Sequence, residues 1–152
     1  LEFRKAGHYG KLFALLQAWE AADWLWWLDI DAIVTRPELG LEGLALEGDV
    51  IISCDSNGLN SGSMLLRTIP EVRRILREAV QLRGVFDVPP WHDQNALAYL
   101  LWKIRDRVKV VDRSRLNSYP ADWTPESFVL HCPGMSNALR LDLLGRHLAR
   151  LQ

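Results

Sequence analysis

Eleven residues, Trp24 to Val34, constrain this chain more than any other stretch: Trp-Leu-Trp-Trp-Leu-Asp-Ile-Asp-Ala-Ile-Val. The run is aromatic and aliphatic without clean alternation, as expected of a central strand covered on both faces. It then meets two carboxylates one residue apart. An unpaired ionised carboxylate is too costly to bury, so Asp29 and Asp31 belong at the strand's C-terminal end, where open α/β sheets place ligands. In a continuing strand the two side chains share a face; a turn between them lets them diverge around one ion. Either arrangement suits a hard divalent cation bound through oxygen. Asp also favours ordinary turns and caps, so other stretches must decide.

Those stretches alternate in type. Leu12, Leu15, Leu16 and Trp19 follow helical spacing and predict an amphipathic helix from about His8 to Ala22. Past Val34, Thr35-Arg36-Pro37 breaks the pattern, and the segment to Gly48 reads as a loop or short irregular helix. Asp49 to Cys54 is β-branched and predicts a strand. Asp55-Ser56-Asn57-Gly58 is a turn cluster, and Gly62 to Arg67 a short buried strand. Pro70 suits the first turn of a helix running to about Arg83, with Val72, Ile75, Leu76 and Ala79 on one face. A further helix is expected from Asn95 to about Ile104. Strands are expected at Val108 to Val111 and Phe128 to His131, and a last helix capped by Ser136. The class is α/β.

With 152 residues, 49% of them hydrophobic, the chain suits one domain with a substantial core. Lys and Arg number 18 against 19 Asp and Glu, a formal charge of -1, which gives no electrostatic case for nucleic acid or an anionic membrane surface. Cys54 and Cys132 are too few for a disulfide framework; one bridge or two buried thiols are open. No apolar run reaches the length of a membrane span.

Four polar clusters stand where apolar elements stop: Asp29/Asp31, Asn60-Ser61-Gly62-Ser63, His92-Asp93-Gln94 and His131-Cys132-Pro133-Gly134. Their placement fits one cleft on one sheet edge. Taken singly each has a plainer reading: a tight turn at Asn60-Ser61-Gly62, a helix cap at Asp93, a hydrogen-bonded rim histidine at His131.

Taken in order, the blocks resemble glycosyltransferase family 34, the galactosyl-, mannosyl- and xyloglucan xylosyltransferase family with a GT-A fold. Trp26-Trp27-Leu28-Asp29-Ile30-Asp31-Ala32 is similar to its Trp-Trp-Leu-Asp-x-Asp block, with Lys11 on the preceding helix. Asn60-Ser61-Gly62-Ser63-Met64-Leu65-Leu66-Arg67, Asp93-Gln94-Asn95-Ala96-Leu97 and the His131 to Gly134 segment resemble the blocks that follow. The resemblance implies a GT-A-like, Rossmann-like mixed sheet flanked by helices, and a UDP- or GDP-sugar donor held by Mn²⁺ or Mg²⁺. It also implies a glycan acceptor and transfer with retention of configuration. Carried over, Asp29 and Asp31 bind the metal or the donor ribose, and His131 completes the metal shell. Asp93 and Gln94 are the catalytic pair beside the reacting carbon. Lys11, Asn60, Ser61, Gly62, His92 and Gly134 line the donor site.

Two departures shape the expectation. No lysine follows His131 closely, so phosphate neutralisation there looks weak. A GT-A domain normally opens with a strand-helix unit that cradles the base, whereas only Leu1 to Ala22 precede the acid pair. Residues 1–152 therefore read as a single GT-A-like domain lacking that unit, a fragment or a reduced copy. Eukaryotic members of the family are Golgi enzymes tethered by an upstream membrane helix. Two rivals stand beside this reading. One is a haloacid-dehalogenase-type phosphohydrolase, with Leu28 to Val34 resembling its nucleophile strand and Ser53 and Asp112 as later motifs; against it, only Lys103 and Lys109 follow Ser53, and both are poorly placed for the lysine it needs. The other is an inactive GT-A remnant.

Overall fold

The computed structural model describes residues 7–149. A short 3₁₀ turn, Gly7–Tyr9, leads into helix α1, Gly10–Gln17, and strand β1, Trp24–Leu28, follows. Then come β2 (Ala32–Val34), α2 (Glu42–Ala45), β3 (Val50–Asp55), β4 (Gly58–Arg67), α3 (Pro70–Gln81), α4 (Arg83–Phe86) and α5 (Asp93–Leu101). After a 3₁₀ segment the chain forms β5 (Val108–Val111), β6 (Val129–His131) and α6 (Asn137–Leu148). Among the described residues no helix is long and apolar enough to cross a membrane.

The main sheet has four strands in the order β1-β4-β3-β5, antiparallel except for the parallel β3/β5 pair. Successive strand side chains point to opposite faces. Val50, Ile52, Met64 and Leu66 accordingly face α1, α3 and α5, while Ile51 and Leu65 face Leu44 of α2, Val111 and Leu116. Each fully buried large aliphatic side chain of this kind contributes about 1.5–3 kcal/mol.

Strand β1 departs from its sequence reading in one respect. Both of its faces are covered, with Leu25 and Trp27 toward the helices and Trp24 and Trp26 toward α2. It lies at the end of the four-strand order, however, and each of its residues is only half-buried. The aromatic run is explained by width: large rings on both sides shield a strand whose outer edge has no partner among the described residues.

The apolar run does not continue as one strand. It breaks after Leu28, and Ala32–Val34 pairs instead with β6 in a separate two-stranded sheet. Trp26 and Leu28 pack against Ala32, Phe128 and Val129, which ties the small sheet to the large one. Helix α1 is shorter than the periodicity suggested, ending at Gln17, and Trp19 reaches the core from the turn beyond it. Both cysteines are free thiols.

Candidate functional site

The break after Leu28 builds the site. Asp29 still belongs to the main sheet, its N–H donating to Gly62 O at 2.8 Å. Its carbonyl then accepts from Ala32 N at 3.0 Å, closing a β-turn that leaves Ile30 99% exposed at the tip. Asp31 already belongs to the small sheet, its carbonyl accepting from Cys132 N at 2.9 Å. The two carboxylates therefore diverge.

Asp29 turns toward the helical face. Its Oδ1 accepts from Trp27 Nε1 at 2.6 Å and lies 3.1 Å from Lys11 Nζ. Lys11, on α1, also donates to Ser61 O and Ser61 Oγ, both at 3.2 Å, and stands 3.6 Å from Asp93 Oδ2. Asp93 opens α5 and is 3% exposed; its Oδ2 accepts from Ser61 Oγ at 3.0 Å. Burial pushes the Asp93 carboxyl up, and the Lys11 charge and the Ser61 hydrogen bond only partly offset it. The adjacent Gln94 accepts from Ser61 N at 3.0 Å.

Asp31 turns the other way. Its Oδ1 is 3.2 Å from His131 Nε2, and its Oδ2 is 3.3 Å from Arg140 Nη2 on α6. Burial raises its carboxyl, but the hydrogen bond and charge of His131 and the charge of Arg140 outweigh that and hold it below the usual range. Ligand atoms of Asp29, Asp31 and His131 all lie within 4.8 Å of one another.

This trio passes a test for a divalent cation that rests on its own hydrogen bonds. His131 Nδ1 meets Asn117 Oδ1 at 2.8 Å, so the imidazole faces Asp31 with Nε2. A bare ring nitrogen and a carboxylate so close are balanced only by a cation on or between them, either a proton or a metal ion. Two carboxylates and an imidazole are oxygen and nitrogen donors of the kind that Mn²⁺ and Mg²⁺ accept.

The Asn60-Ser61-Gly62 block is not the tight turn its composition suggests. It lies inside β4, where the register shifts from Ile52 opposite Met64 to Ser53 opposite Asn60, leaving Ser61, Gly62 and Ser63 without β3 partners. Such a bulge re-aims side chains. Here it sends Ser61 to Lys11 and brings Gly62 against His131. A Cβ on Gly62 would overlap Cε1 of that imidazole, so only glycine lets the ring lie on the strand. Asn60 Nδ2 donates to Asp55 Oδ2 at 2.9 Å.

Two expected donor-site residues lie apart from this cluster. His92, in a left-handed conformation at φ 41°, pairs with Asp87 at 2.7 Å and stacks on His8 with ring centroids 4.1 Å apart. Gly134, at φ +69°, makes the exposed turn between β6 and α6. That turn, followed by the Ser136 cap, folds α6 back so that Arg140 reaches Asp31. The helix-cap reading of Asp93 gives way to its bonds with Ser61 and Lys11.

Sequence reasoning missed Asp55, Asn117, Tyr119 and Arg140. Asp55 was visible only as a turn residue, Asn117 and Tyr119 lie in a stretch without periodicity, and Arg140 looks like any surface helix arginine. The residues needed by a phosphohydrolase are engaged elsewhere. Asp112 accepts from Ser114, Lys109 pairs with Glu47, and Lys103 lies over Tyr99.

No family model and no curated protein matches the sequence. Among solved structures, a glycosyltransferase involved in the glycosylation of the major capsid of PBCV-1 is similar, with a TM-score of 0.77 and 20% identity. The match covers 93% of this chain and 76% of that one. At that identity the likeness is one of fold, a mixed α/β sheet flanked by helices of the GT-A-like kind, and it does not single out family 34.

Proposed function

We propose that this protein is a metal-dependent glycosyltransferase that moves a sugar from a nucleotide-sugar donor to a glycan hydroxyl with retention of configuration. The observation that carries the reading is the meeting of four separated segments around the Asp29-Ile30-Asp31 turn, in a fold shared with a glycosyltransferase. Asp31 and His131, with Asp29 beside them, are the residues that would hold Mn²⁺ or Mg²⁺. A divalent cation there supplies charge neutralisation for the departing diphosphate, worth more in the transition state than in the ground state.

The chain's own groups divide the rest. Arg140 is the cation that a lysine after His131 would have been, placed to pair with a phosphate oxygen as well as with Asp31. Lys11 holds Asp29 and Ser61 in position for the ribose side of the donor. Asp93, too buried to meet bulk water, fixes Lys11 and Ser61 and adds negative potential behind the sugar carbon as positive charge develops there. Gln94 and Ser61 line the sugar. In the transfer the bond from the anomeric carbon to the diphosphate oxygen breaks, and a bond from that carbon to the acceptor oxygen forms on the same face. The acceptor's proton passes to the departing phosphate, so no protein base is required.

The test is sugar release from a panel of UDP- and GDP-sugars with the purified chain. Mn²⁺-dependent release that chelation abolishes, with the anomer retained by NMR, is the expected result. Neither release nor nucleoside diphosphate binding in the presence of Mn²⁺ would overturn the proposal and favour an inactive remnant.

A further inference from the structure

A histidine binds a cation through a nitrogen that carries no proton, and which nitrogen that is depends on the hydrogen bond the other makes. Behind His131 a row of side chains makes the choice. It begins at a group that cannot be reversed, the backbone N–H of Gly62, which donates to Asn60 Oδ1 at 2.9 Å. Asn60 Nδ2 consequently faces Asp55 Oδ2 at 2.9 Å. Burial raises the Asp55 carboxyl, but hydrogen bonds from Tyr119, the Asn57 backbone and Asn60, with the Arg113 charge, hold it below the usual range, so it accepts. Turning Asn60 over would set donor against donor at Gly62 and acceptor against acceptor at Asp55.

The orientation then passes along the row. Asn117 Nδ2 donates to the same Asn60 Oδ1 at 2.8 Å, so Asn117 presents its oxygen to His131 Nδ1, also at 2.8 Å. An amide oxygen only accepts, so Nδ1 carries hydrogen. The row is rigid as well as polar: Asn117 is fully buried, and the adjacent Ser118 is pinned to β6 by Ser118 N to Val129 O and His131 N to Ser118 O, at 3.1 and 2.8 Å. Tyr119 closes the far end by donating to Asp55 Oδ2 at 2.5 Å, and its ring meets the imidazole edge-on.

We propose that Asn60 and Asn117, anchored between the Gly62 N–H and the Asp55 carboxylate, are positioning residues that hold a proton on His131 Nδ1 and so turn Nε2 toward Asp31 as the one ring nitrogen a divalent cation can take. Only the last clause rests on the metal reading above; the Nδ1 proton belongs to the metal-free chain. Binding then needs no ring flip and no change at Nδ1, and outer hydrogen bonds of this type are worth about 10–100-fold in metal affinity.

Two measurements on the full chain decide it. In ¹⁵N-labelled, metal-free protein, long-range ¹H–¹⁵N correlation should show His131 with Nδ1 protonated. A ring with Nδ1 bare and its proton on Nε2 alone overturns the proposal whatever metal binding shows. Mn²⁺ affinity, read from the EPR signal of the free ion, should fall about 10–100-fold in Asn117→Leu, with His131 losing its fixed Nδ1 proton. Unchanged affinity in a folded Asn117→Leu protein also overturns it. Where Asn117→Leu does not fold, Tyr119→Phe takes its place, with a smaller loss in the same direction expected and an unchanged Nδ1 proton and affinity counting against the relay. Absence of Mn²⁺ binding by the native chain would overturn the cation clause together with the metal reading, and the spectrum would then separate the relay from that failure.

Discussion

The two aspartates of one short motif live in different electrostatic worlds. Asp29 is the last residue tied to the large sheet and is held by Lys11 and the Trp27 indole. Asp31, two residues on, is the first tied to the small sheet and is held by His131 and Arg140. Behind Asp29 lies a second, buried carboxylate, Asp93, which shares the same lysine. Behind Asp31 lies a neutral amide relay ending at Asp55. One end is a crowded set of acids around a single lysine; the other is an acid held between an imidazole and an arginine. The β-turn at Ile30 lets a single sequence motif serve both.

That contrast can be broken most severely at Lys11. Removing one partner of a buried ion pair costs about 3–5 kcal/mol, because the remaining charge has nowhere to go. Lys11→Met should cost the native chain about 3 kcal/mol in urea unfolding. A loss below about 1 kcal/mol would show that the Asp29 end is solvated like a surface pair.

A second variant strikes the other end. Gly62→Ala places a methyl group against the His131 imidazole, and overpacking of this kind costs about 1–3 kcal/mol. Because the ring must move, Mn²⁺ affinity should fall in the same variant. Unaltered stability and affinity would mean that the bulge in β4 yields freely. Arg140→Met should leave the fold intact and weaken nucleoside diphosphate binding about tenfold, the worth of one charge-assisted hydrogen bond. Equal binding by calorimetry would place the diphosphate elsewhere.

The smallest effect separates the two ends by pH. The folded-state pKa of Asp93 is raised above its ordinary value of 3.8, so the native state holds its proton longer than the unfolded chain does. Its penalty is absent below the unfolded value and grows as pH rises through the folded one. Asp31 is lowered, so its contribution is present above the unfolded value and lost as pH falls through the folded one. Asp93→Asn should therefore flatten the fall in stability that sets in as pH rises above 3.8. Melting temperatures of the variant and native chain across that range provide the check. Parallel curves would mean that Lys11 fully compensates the burial.

Much of this was legible where local chemistry and tertiary role agree. Pro70 begins α3, Val108 to Val111 is a strand, and Ser136 caps α6, because a helix N-terminus and a β-branched run announce themselves within a few residues. Lys11, Asp29, Asp31, Ser61, Asp93 and His131 do converge, since polar residues at the ends of apolar elements have few other places to go. Asn60-Ser61-Gly62 misled because turn-formers also build bulges, and only the pressure of the His131 ring on Gly62 distinguishes the two. Asn117 and Arg140 could not be found, because their partners are distant in sequence and no spacing rule relates them. The strand β1 was read as central from its composition, and its place in the order depends on pairing that composition does not encode.

The most direct test of where the cation belongs is an anomalous difference map from crystals grown with Mn²⁺ and UDP. The expected result is a Mn²⁺ peak at coordination distance, about 2.0–2.2 Å, from His131 Nε2 and an Asp31 carboxylate oxygen, with the diphosphate between it and Arg140. A diphosphate bound with no metal at that position, or a metal held only by exposed carboxylates away from His131, would contradict it.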